Sequence, residues 1–203
     1  MVGNRIGEDR LMNVAGALIA LGSAWILAKG ILLIFTGHDR SLVPWFGLFV
    51  MSGFVVASMA LWRTAHRWRW LAWLGGGAAL VGVVSAVVAV VYLLSGTTPE
   101  SPGAPALVGG SYAVMSAGVA VSLLSLGVLV AGNRSLRGGW RWYPLGLIVA
   151  QLPIFIVAGA IAIVVGSEDL ADGLGLAITG LAWILLGYAI SEKSLSTANQ
   201  NRT

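Results

Sequence analysis

The side chains that could do chemistry are few, and their spacing does not suit it. Two histidines, His38 and His66, fall in loops at opposite ends of apolar runs, and there is no cysteine. A haem ligated inside a hydrophobic helix, a thiolate metal site or a zinc site of the H-E-x-x-H kind would therefore lack ligands. A Ser/His/Asp set would lack its base, because no histidine lies within the runs that carry the serines. The one carboxylate cluster, Glu168 and Asp169 with Asp172 a turn later, opens an apolar run. Acids there offset the positive end of a helix dipole, which explains them without catalysis. Gly75-Gly76-Gly77 lies within an apolar run and follows no strand, so it is no phosphate loop. The expectation is no catalytic residue, no cofactor, no metal and no enzyme.

Three polar features remain as candidates for an intramembrane polar site. Lys29 is the sole basic residue inside an apolar run, roughly 10 Å from its end at about 1.5 Å per residue. Its four-carbon stem could snorkel most of that distance. Alternatively, its seven-residue spacing from Gly22 places it on a small-residue side that faces other helices. Asp169 and Asp172 are then the expected partners, with Asp39 third. Gln151 and Pro153 form a polar irregularity near the middle of another run, where Pro153 cannot donate to the Val149 carbonyl. Ser122 and Ser125 belong to a stripe with Ser111 and Gly118, which serves either helix packing or the border of a solute path.

The elements that must position these residues are plain from composition. The chain has 203 residues, 58% hydrophobic and only 10% charged, against about 45–50% and 25% in soluble globular proteins. Soluble, disordered and fibrous classes are excluded, and so is a disulfide scaffold. Six apolar runs, at about 11–36, 43–62, 71–94, 109–131, 144–165 and 170–190, take up about two-thirds of the chain. Each matches the roughly 20 residues that cross a 30 Å hydrocarbon core. Backbone groups in hydrocarbon must be satisfied internally, and no barrel-like alternation is present, so the spans are helices. The fold class is all-α: a polytopic membrane bundle of six helices with short loops and a polar tail over 191–203. Pro44 and Pro144 suit first turns, and Gly37, Gly96 and Gly132 suit C-terminal caps.

Charge sets an expected orientation. Ten basic residues (Arg5, Arg10, Arg63, Arg67, Arg69, Arg134, Arg137, Arg141, Lys193 and Arg202) flank one side of the runs, and Arg40 alone flanks the other. The positive-inside rule then puts both termini in the cytoplasm, in a cytoplasmic (inner) membrane. The net charge of +4 is a topology signal and implies no nucleic-acid partner. The first run is too long for a signal-peptide core and is read as a retained helix.

Trp68-Arg69-Trp70 recurs as Trp140-Arg141-Trp142. The pair could mark a duplicated hairpin, or could reflect two loops converging on interfacial residues. Together with Arg67, these residues form a basic-aromatic collar that reads as an anchoring belt and, secondarily, as a contact for anionic lipid headgroups. Small residues line one face each of the third span (Gly75, Ala79, Gly82, Ala86, Ala89) and the sixth (Gly173, Ala177, Gly180, Gly187), which marks close helix packing. The expected role is a non-enzymatic structural or accessory bundle, with the lipid bilayer, a membrane-protein partner or a second copy of itself as partners. The alternative is a small-solute or ion channel or transporter using Lys29, Gln151 and the serine stripe.

Overall fold

The computed structural model describes residues 3–36, 42–64, 67–98, 101–133 and 138–200, and all of its regular structure is helical. Helix α1 spans Gly3–Thr36, α2 Val43–Thr64, α3 Arg69–Leu94, α4 Ala106–Asn133, α5 Tyr143–Val165 and α6 Glu168–Gln200. A short 3-10 turn, Gly138–Trp142, leads into α5. All six α-helices contain a stretch long and apolar enough to cross a membrane.

The helix ends follow local chemistry. Pro44 and Pro144 are each the second residue of their helix, where the missing N–H breaks no bond. At the end of α3, Gly96 adopts φ +78°. Its N–H donates to the Leu93 carbonyl (3.0 Å) and the Thr97 N–H donates to that of Tyr92 (2.9 Å), which is a Schellman closure. Gly166, at φ +71°, closes α5. Ser167 then caps α6, its Oγ accepting from the Leu170 N–H at 3.3 Å, and Glu168 and Asp169 fill the first turn.

One expectation is revised. Gly132 does not cap α4 but lies inside its last turn, because the helix runs on to Asn133. The polar segment from 191 is helical as far as Gln200, since nothing after Gly187 in that stretch is a Gly or Pro that would break the ladder. Gly37 lies outside the described residues.

The most extensive helix–helix contact joins the first and last helices. They run antiparallel, with Gly16 against Gly187 and Gly30 against Gly173. Backbone meets backbone there. A Cβ on Gly30 would stand 2.5 Å from the Ala177 nitrogen, one on Gly180 2.6 Å from the Leu27 nitrogen, and one on Gly187 2.6 Å from the Gly16 carbonyl oxygen. At these glycines a Cβ is excluded by geometry.

Helix α2 occupies the centre, packed on α1, α3 and α4. It also reaches α6 through Phe46 and Phe54, whose rings lie 5.5 and 5.9 Å from that of Trp183. Met51 of α2 is fully buried and lodges its thioether between Gly82 of α3 and Gly118 of α4. The small-residue faces of the third, fourth and sixth spans are buried, apart from half-buried Ala177. Helix α5 is peripheral, resting on α6 and more lightly on α4. Its outer face is bare, with Val149 73% and Ile163 86% exposed.

These contacts rank three substitutions. Gly187→Leu should cost most, because the opposing atoms are backbone and cannot yield. Gly82→Leu displaces only the flexible end of Met51 and should cost about 1–3 kcal/mol, as overpacking does. Val83→Leu, on a half-buried position about 100° round α3, should cost least. Thermal unfolding in detergent measures all three, and equal tolerance at Gly82 and Val83 would contradict the packing.

Candidate functional site

The polar candidates fall in separate places. Helix α1 turns one face to α2 and another to α6. The α2 face carries Gly22, where a Cβ would stand 2.9 Å from Val50 Cγ2, and Trp25, which stacks on Trp45 at 6.1 Å. Lys29, seven residues beyond Gly22, shares that face and is half-buried. The pairs Gly22/Val50 and Trp25/Trp45 put it level with the start of α2. The α6 face, marked by Gly30, lies about 100° away. Asp169 and Asp172 are exposed at the start of α6, with Asp172 also about 100° round from the seam residue Gly173. Packing thus sets Lys29 on the α2 side of α1, while Asp169, four residues before Gly173, lies on the seam side of α6. Asp39, the third, lies outside the described residues, as do His38 and His66.

Gln151 is half-buried where α5 meets α6. The Thr179 hydroxyl donates to its Oε1 across 3.5 Å, a long bond, while its buried Nε2 has no hydrogen-bond partner among the described residues. Pro153 is exposed, and so is Val149, whose carbonyl it leaves without a donor. Gln151, by contrast, is turned toward α6. The amide serves the α5–α6 contact and not the proline break.

The serine stripe of α4 is spent on packing. Ser122 is fully buried, and its Oγ donates to the Gly75 carbonyl of α3 at 2.9 Å. A Cβ on Gly75 would meet the Ser125 Cβ at 3.3 Å, so the helices close on one another at this level. Ser111 turns back to the Val108 carbonyl at 2.7 Å. Ser122 and Ser125 face α3, and Ser111, also buried, bonds within its own helix.

The collar is assembled at the end of the bundle where α2 passes to α3 and α4 to α5. Arg67 lies 5.9 Å from the ring of Trp68, Arg69 5.5 Å from that of Trp62, and Arg141 5.3 Å from that of Trp142. A guanidinium over an indole gains about 0.5–1 kcal/mol at an exposed site and remains available to an anion from its edge. Trp70 and Trp142 are more than half exposed, and Trp140 packs on Tyr143 at 5.5 Å. The Tyr143 hydroxyl donates to the Ala182 carbonyl of α6 at 2.9 Å, which pins this corner. Sequence reasoning missed Thr179 and Tyr143 as polar ties between α5 and α6. Nothing in their local spacing marks them, because each partner comes from a distant helix.

Two outcomes are expected. Ser122→Ala should cost about 0.6 kcal/mol and no more than about 1.7, the range for hydrogen bonds between membrane helices. Lys29→Leu and Asp172→Asn should act additively on detergent stability; partial rescue of one by the other would show that they are coupled after all. No known protein family, curated protein or solved structure matches the chain, so the functional reading rests on its own residues.

Proposed function

We propose that the chain is a multi-pass protein of the cytoplasmic membrane, with both termini on the cytoplasmic side, acting as a non-enzymatic structural or accessory bundle. The outer surface supports membrane residence: large apolar side chains such as Phe35, Leu80, Val91, Leu152 and Ile163 are mostly exposed along the helices. A patch of that extent is unstable in water and natural against acyl chains. The concentration of Arg10, Arg63, Arg67, Arg69 and Arg141 at one end supports the orientation. The collar there would hold that end against anionic headgroups.

The observation that carries the accessory role is the Ser122–Gly75 hydrogen bond. It draws the most promising polar stripe into the α3–α4 contact, while Lys29 belongs to the α1–α2 side and Gln151 to the α5–α6 side. A channel or transporter needs such groups to converge on one wet cavity, and here they diverge. Between α1, α2, α4, α5 and α6 the packing leaves a gap of about 20 Å³ among apolar side chains including Met12, Phe54 and Leu186. The bundle would serve a membrane-protein partner or a second copy, and the exposed face of α5 offers one a surface.

Reporter fusions at Thr97 and after the last residue should report opposite compartments, and a cytoplasmic Thr97 would overturn the orientation. Purified protein in liposomes should pass small ions and polar solutes no faster than empty vesicles. A solute-specific flux abolished by Gln151→Leu would replace this reading with the transport one.

A further inference from the structure

Three consecutive glycines in α3 meet three different surroundings. Gly75 faces α4, with a Cβ there 3.1 Å from Leu126. Gly76 faces α2, with a Cβ 3.0 Å from that of Ser58. Gly77 meets nothing within 4 Å. The first two let helices approach closely. The third gains no such contact, although a glycine in a helix interior is disfavoured relative to alanine. What Gly77 does is leave open an outward groove between α2 and α3, enclosing about 410 Å³.

The groove has an apolar length and a basic mouth. Val55, Met59 and Leu80 supply apolar lining, and the Ser58 hydroxyl is turned away to the Phe54 carbonyl at 2.8 Å. Trp62 and Trp73, edge to face at 6.0 Å, stand near the mouth, and exposed Arg63 closes it. From Arg63 to Val55 the groove runs about 12 Å along α2. Aromatic rings and a cation at one end, with hydrocarbon-compatible walls beyond, complement a lipid with an anionic headgroup. A free phosphate has nothing to fill the apolar part.

We infer that the α2–α3 groove seats one anionic phospholipid, an acyl chain lying over Gly77 and the headgroup phosphate at Arg63. This rests on the membrane reading above and adds to it a specific lipid site. The test is native mass spectrometry of the detergent-extracted protein offered phosphatidylglycerol and phosphatidylcholine with the same chains. The wild type should retain a single phosphatidylglycerol in preference to phosphatidylcholine. Gly77→Leu fills the groove where a side chain meets open space, so it should lose that lipid without a fall in melting temperature. Arg63→Gln should reduce the preference for phosphatidylglycerol by about fivefold, the share of one basic residue near an anionic surface. Retention by Gly77→Leu at the wild-type level would overturn the proposal, and so would an unchanged preference in Arg63→Gln. Should Gly77→Leu unfold, the Arg63→Gln preference decides alone. Recovery of the wild-type chain from the soluble fraction without detergent would overturn the membrane reading itself, a result distinguishable from loss of the groove.

Discussion

The α1–α6 seam is the constraint on which the bundle depends. Between apolar helices in hydrocarbon there is little hydrophobic drive to associate, so packing and hydrogen bonds must hold them together. Close approach maximises the first, and only glycine permits it at Gly16, Gly30, Gly173, Gly180 and Gly187. The two helices so joined are also those farthest apart in the chain. Their contact encloses the intervening hairpins and fixes which faces of α1 and α6 remain for α2 and α5. It also fixes the fate of Lys29: with one side of α1 committed to α6 and the adjacent side to α2, the lysine is left on the flank of the second.

Polar groups in such a bundle are handled mostly within their own helices. Ser23, Ser52 and Ser58 return their hydroxyls to the carbonyl four residues back, at 2.6 to 2.8 Å. This satisfies the hydroxyl without a partner helix or water. Against that background three side-chain bonds between helices stand out among the described residues: Ser122 to Gly75, Tyr143 to Ala182, Thr179 to Gln151. Two of the three tie α5 to α6. These bonds hold the peripheral helix α5 to the bundle, and the amide nitrogen of Gln151 is left without a partner there among the described residues.

The span boundaries and small-residue faces were legible because they are properties of short windows: twenty apolar residues, a proline in a first turn, glycines seven apart. The buried face of α3 could be read from Gly75, Ala79, Gly82, Ala86 and Ala89 alone. Which helix each face meets could not. Spacing sets Lys29 beside Gly22, but that the nearest atoms to Gly22 belong to α2 depends on contacts across the whole bundle. The three glycines at 75–77 make the same point at finer scale. Their identity implies close packing for all of them, whereas their positions, about 100° apart on the helix, send two toward neighbours and one outward.

The two Trp-Arg-Trp corners show how a shared tripeptide can arise without shared descent of structure. Arg69 and Trp70 are the first residues of α3, Arg69 lies near Trp62 of the preceding helix, and α2 and α3 then pack along their lengths. Trp140-Arg141-Trp142 lies instead in the 3-10 turn before α5, Arg141 pairs with its own neighbour Trp142, and α4 and α5 touch far less. A duplicated hairpin should repeat the backbone conformation and the partner of the arginine, and neither repeats here. What the corners do share is their place at the basic end of the bundle, where indole and guanidinium are both favoured. Convergence on a common environment accounts for the likeness with fewer assumptions than duplication. At the α2–α3 corner the two helices pack along their lengths and so form the walls of a groove.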